Sequence, residues 1–70
     1  MMKGDVVCYK AAFLRSVGWL TNVPTNGVVV DDTDPTYPRV QWCDDDRDSL
    51  GVRVHAGNLL LYADRHKEPA

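Results

Sequence analysis

Two segments, Arg39-Val40-Gln41-Trp42-Cys43 and Val52-Arg53-Val54-His55, alternate apolar and polar side chains with a period of two. A strand sends successive side chains to opposite faces, so this pattern marks strands with one buried face and one solvated face. Val40 and Trp42 share the inner face of the former, and Val52 and Val54 that of the latter. Three further segments are short and rich in β-branched, aliphatic or aromatic residues: Asp5-Val6-Val7-Cys8-Tyr9, Val28-Val29-Val30-Asp31 and Leu59-Leu60-Leu61-Tyr62. Such residues suit a pleated, half-buried surface. Val28 and Val30 are expected to face the core. In the first segment both Val6/Cys8 and Val7/Tyr9 are acceptable inward pairs, and Val7 inward is preferred because the fifth strand needs an apolar partner.

Turn chemistry separates these strands. Pro35 and Pro38 in Asp34-Pro35-Thr36-Tyr37-Pro38 cannot donate to a ladder. Residues 44–51, Asp-rich and ending on Gly51, form the next break, and Ala56-Gly57-Asn58 suits one 3₁₀ turn. Asn26-Gly27 opens the second strand. A chain of 70 residues is one domain that buries only roughly 60% of its unfolded surface. It is too short for a two-sheet sandwich. The expectation is an all-β fold: a single five-stranded small barrel over residues 1–62, with a polar, frayed tail over 63–70.

The connection from residue 10 to residue 26 is long for a hairpin loop. Within it, Phe13, Leu14 and Val17 have helical spacing, and Gly18 follows as a stop. This predicts one helical turn. Its apolar side chains can cap an open end of the barrel, or the loop can present Arg15 and Trp19 to a partner.

Composition narrows the function. Eight Lys and Arg against ten Asp and Glu leave a formal charge of −2, which gives no general attraction to a phosphate backbone. No apolar run reaches signal-peptide or membrane-spanning length, so the expectation is a cytoplasmic protein without a membrane partner. Cys8 and Cys43 are too few for a disulfide framework and read as reduced thiols. An enclosed active site would consume much of so thin a core.

No motif supplies chemistry to replace that volume. The run Asp44, Asp45, Asp46 and Asp48 lacks the glycine and glutamate of an EF-hand loop, and it reads as a solvated turn. Asp31, Asp32 and Asp34 read likewise. His55 and His66 with the two cysteines show no zinc-ligand spacing. Ser16 and Ser49 lack a nucleophile-elbow context, and the five glycines are scattered rather than gathered in a phosphate loop. No catalytic residue, metal or cofactor is expected.

The order Gly4-Asp5-x-Val7, Gly27-x-Val29 or Val28-x-Val30, Val40-x-Trp42-x-Asp44, Val52-x-Val54 and Asn58-Leu59 resembles SH3-like small barrels of the KOW and Tudor type, over about residues 4–62. These motifs encode turns and core positions. The chain lacks the basic strand-one loop of the KOW pattern, so RNA binding is not implied. The segment Phe13-Leu14-Arg15-Ser16-Val17-Gly18 resembles the F-L-R-S-I-G segment of small uncharacterised proteins of tailed bacteriophages and prophages, as do Arg53-Val54 and Asn58-Leu59 near the end. That resemblance implies a fold and a phage or prophage origin, with the host-cell cytoplasm as the location, and no activity.

The aromatic residues carry the remaining functional expectation. Trp42 alternates with core positions and reads as structural. Trp19 in the long loop and Tyr37 between the second and third strands are expected to flank one groove. Exposed aromatics beside arginine make binding hot spots, so Arg15, Trp19, Tyr37, Arg39 and Arg53 are the candidate binding residues. Trp19 folded over the core, and the arginines as a solvated face, are the competing readings. The expected function is a non-catalytic protein–protein interaction module. The alternatives are a nucleic-acid-binding barrel using Lys10, the same arginines and aromatic stacking, or a structural component of the virion.

Overall fold

The computed structural model describes residues 1–45 and 50–67. Its centre is β1 (Val6–Tyr9), which pairs antiparallel with β2 (Gly27–Asp31) on one side and with β5 (Leu59–Leu61) on the other. β2 pairs with β3 (Arg39–Trp42), and β3 with the two-residue β4 (Val52–Arg53). Among the described residues the result is one five-stranded antiparallel sheet in the order β4-β3-β2-β1-β5, with one short α-helix, α1 (Ala11–Val17). The chain is therefore of the all-β class.

Register decides the core. Val7 stands opposite Gly27 and Leu61, Tyr9 opposite Leu59, Val29 opposite Val40, and Gly27 opposite Trp42. Directly opposed residues share a face, so Val7, Val29, Val40, Trp42 and Leu59 converge with Val54 on one buried cluster, and Tyr9 packs against it. The preference for Val7 inward holds. The expectation for β2 does not: Val29 is fully buried, while Val28 is 40% exposed on the other face. Gly27 sets this parity, because only a residue without a Cβ fits under the Trp42 indole. A register shift between Val29 and Asp31 then interrupts the alternation past Val29.

The predicted fourth strand over 52–55 is shorter in the fold. Gly51 takes φ +82° to start it. Beyond Arg53 the chain leaves β3, and the Val54 N–H donates to the Pro38 carbonyl at 3.1 Å while the Ala56 N–H donates to Thr36 at 2.8 Å. Val54 is still buried, whereas Val52, at the sheet's edge, is 49% exposed. The 3₁₀ turn at Ala56–Asn58 forms as expected, with His55 Nδ1 accepting the Gly57 N–H at 2.9 Å. Tyr62–Lys67 form a second 3₁₀ segment that packs against β1 and β5, in the stretch read from sequence mainly as a polar tail. The Arg65 guanidinium lies 4.0 Å from the centre of the Tyr62 ring.

The 10–26 connection carries the predicted helical turn, extended to seven residues. Ala11, Ala12, Leu14 and Arg15 are good helix formers. Gly18 ends the helix at φ +70°, and the Trp19 N–H reaches back to the Leu14 carbonyl at 3.0 Å, the closure that a left-handed glycine allows. The Lys10 N–H donates to the Asn58 carbonyl at 2.9 Å and ties the start of α1 to the 3₁₀ turn before β5. Among the described residues no helix is long and apolar enough to cross a membrane. Cys8 is buried, Cys43 is exposed, and the two are not joined in a disulfide.

Candidate binding surface

Two groups of side chains gather the residues singled out by sequence. The first is built on Tyr9. Its ring stacks on Trp42 at 4.2 Å between centroids and on Phe13 at 5.3 Å, and it meets Trp19 at 5.2 Å in a tilted contact. Tyr9 thus joins the core indole to the helix and to the residue just past its glycine stop. Offset aromatic contacts of this kind add about 0.5–1.5 kcal/mol each beyond burial. Trp42 is buried as expected, and among the described residues its indole N–H has no hydrogen-bond partner. Trp19 is half-buried, and its ring contacts Tyr9. Next to it, Val17 is 57% and Leu20 79% exposed. Arg15, in the last turn of α1, is exposed on the same short element.

Burial, and then the Asp45 and Asp44 carboxylates, raise the Tyr9 phenol above its ordinary value. These aspartates belong to the turn after β3. Asp45 accepts the Trp42 N–H on its carboxylate at 2.9 Å and donates its own N–H to the Trp42 carbonyl at 3.0 Å. Its role there is to shape the turn, as the sequence pattern suggested. Asp46 and Asp48 lie outside the described residues.

The second group forms where the β2–β3 loop meets β4. Tyr37 sets its ring edge-on to His55 at 5.2 Å. Arg53 donates from Nη1 to the Tyr37 carbonyl at 2.9 Å and lies 3.7 Å from the Asp31 carboxylate. Asp31 also accepts the Thr33 N–H at 2.9 Å and the Thr33 hydroxyl at 2.7 Å. These two bonds, and then the Arg53 and Arg39 charges, hold its carboxyl below the usual carboxylate value. Arg39 stands opposite both Asp31 and Arg53 in the sheet. Beside it, on the outward face, is an open hollow of about 310 Å³ lined by Val30, Asp31, Arg39, Gln41 and Leu50.

The five candidate residues therefore divide. Tyr37, Arg39 and Arg53 come together around Asp31, while Arg15 and Trp19 belong to the Tyr9 group. Trp19 and Tyr37 are held by different ring partners, Tyr9 and His55. Sequence reasoning missed Tyr9 as the hub. The signal was available: Tyr9 has the parity of Val7, and that face leads to Trp42. Asp34 accepts the Thr36 and Tyr37 N–H groups and Asp32 accepts the Lys3 N–H, so these acids serve as turn and loop acceptors. Among the described residues no three His, Cys, Asp or Glu side chains are placed to hold a metal.

Fold and surface together define a small antiparallel β protein with an aromatic-anchored helical insertion. No family model, curated protein or solved structure matches the chain.

Proposed function

We propose that this chain is a small SH3-like barrel that binds a protein partner through the surface built by residues 10–26 and catalyses no reaction. The observation that carries this reading is the exposure of Val17 and Leu20, which flank Trp19 in the sequence, together with the contact of the Trp19 ring with Tyr9. Apolar side chains that a thin core leaves outside, around an aromatic that is already held in place, give contact area at low ordering cost. Arg15 adds a directional donor beside them. Two side chains with catalytic chemistry are engaged in local bonds: the Ser16 hydroxyl donates to the Phe13 carbonyl at 2.7 Å, and His55 Nδ1 accepts the Gly57 N–H. A phage or prophage origin and a host-cytoplasmic location belong to the same reading and rest on the Phe13–Gly18 segment.

Affinity capture from bacterial cells, with wild type beside Leu20→Asp and Trp19→Ala, tests the reading. The expected result is a partner protein retained by wild type and lost with Leu20→Asp, whose thermal melt stays unchanged because Leu20 contributes little to the core. A partner retained equally by both variants overturns it. Salt-dependent binding of a labelled oligonucleotide by wild type would favour the nucleic-acid alternative instead.

A further inference from the structure

We propose that the hollow on the outward face of β2 and β3 receives an acidic side chain of a protein partner, one Asp or Glu flanked by an aliphatic residue. Among the described residues charge is unbalanced here: two guanidiniums, Arg39 and Arg53, face one carboxylate, Asp31. Asp31 is committed to Thr33 and Arg53. Arg53 is committed to Asp31 and the Tyr37 carbonyl. Among the described residues the Arg39 guanidinium has neither an ion pair nor a hydrogen bond, although it lines the hollow. Like charges directly opposed across a sheet repel, so a second carboxylate restores balance. Arginine's planar fork takes a carboxylate through two parallel bonds.

The remaining walls select the neighbour of that carboxylate. Val30 is half-buried and Leu50 exposed, which gives aliphatic contact on either side of the charged head. At about 310 Å³ the hollow is at the small end of ligand pockets, which run from roughly 300 to 1,000 Å³. That suits one or two side chains rather than an enclosed small molecule. A nucleic-acid strand fits less well, because a phosphate backbone needs several cations in a row, and here Asp31 sits among the arginines. This site is separate from the Trp19 surface, so either can fail while the other stands.

The test is an NMR titration of the labelled full chain with the capped peptide acetyl-Leu-Glu-Leu-amide, its Gln counterpart, and a ten-residue oligothymidine. The expected result is movement of the Val30, Asp31, Arg39, Gln41 and Leu50 amides with the Glu peptide. Affinity should drop about tenfold with the Gln peptide and in Arg39→Ala. Arg39→Lys, which keeps the charge but loses the fork, should also bind more weakly. The same titration of Asp46→Asn/Asp48→Asn removes two carboxylates of the sequence between β3 and β4 as competitors. Equal binding of the Gln peptide, undiminished binding by a folded Arg39→Ala, no shift at these residues in either background, or a stronger response to the oligothymidine overturns the proposal.

Discussion

Gly27 stands opposite Trp42 across the β2–β3 ladder, and the indole occupies the space a side chain at residue 27 would need. A Cβ there falls 2.7 Å from Val40 Cγ1 and 2.8 Å from Trp42 Cε3, both in the core. Replacing a glycine with alanine can stabilise a fold by about 0.4–1 kcal/mol through the unfolded chain. Forcing a methyl into a packed core costs about 1–3 kcal/mol. The second effect wins, so Gly27→Ala should lower stability by about 1–2 kcal/mol. The check is a urea melt with a lower midpoint and an unchanged slope.

Tyr9 ties the same indole to the helix, and its raised phenol value has a consequence at high pH. A group whose value rises on folding contributes stability that is intact below the unfolded value and is lost as pH climbs through the folded one. The unfolded value is about 10, so wild type should weaken above pH about 10. Tyr9→Phe has no proton to lose and should keep more of its stability there. Denaturation midpoints of both proteins, followed from pH 8 upward, should diverge only in the alkaline range. Parallel curves would assign the alkaline loss to other groups.

Asp31 gives the opposite sign. Its carboxyl is held below the ordinary value, so its contribution is present above that value and is lost as pH falls through the folded one. The Thr33 N–H and hydroxyl rank above the arginines as causes. In an NMR titration of the side-chain carbonyl, Thr33→Val should therefore raise the Asp31 midpoint more than Arg53→Ala does. A larger effect from Arg53→Ala would reverse the order of causes.

Much of the sheet was legible because strand chemistry is local. Val40, Trp42 and Val54 announce their burial through alternation, Gly18 announces the end of α1, and Ala56-Gly57-Asn58 announces its turn. The parity of β2 was not legible from Val28-Val29-Val30, since three valines fit either face. It depends on Gly27 meeting Trp42, a contact between strands that no window on one strand contains. The division of the candidate residues has the same origin. Trp19 and Tyr37 sit in loops that a sequence reading placed on one groove, but their positions follow from Tyr9 and His55. The charge grouping of Asp31, Arg39 and Arg53 depends on the register of three strands.

That register makes a direct comparison between adjacent valines. Val29 is fully buried against Val40, whereas Val28 is 40% exposed on the opposite face beside Val6. Truncating a buried valine removes two methyl groups' worth of burial, at about 0.8 kcal/mol each, and leaves a small cavity. Val29→Ala should therefore cost about 2 kcal/mol. Val28→Ala should cost about 0.5 kcal/mol, in the range of surface changes. If β2 instead faced inward with the parity of Val28 and Val30, the larger loss would fall on Val28. A pair of urea melts on the two single variants decides between these registers.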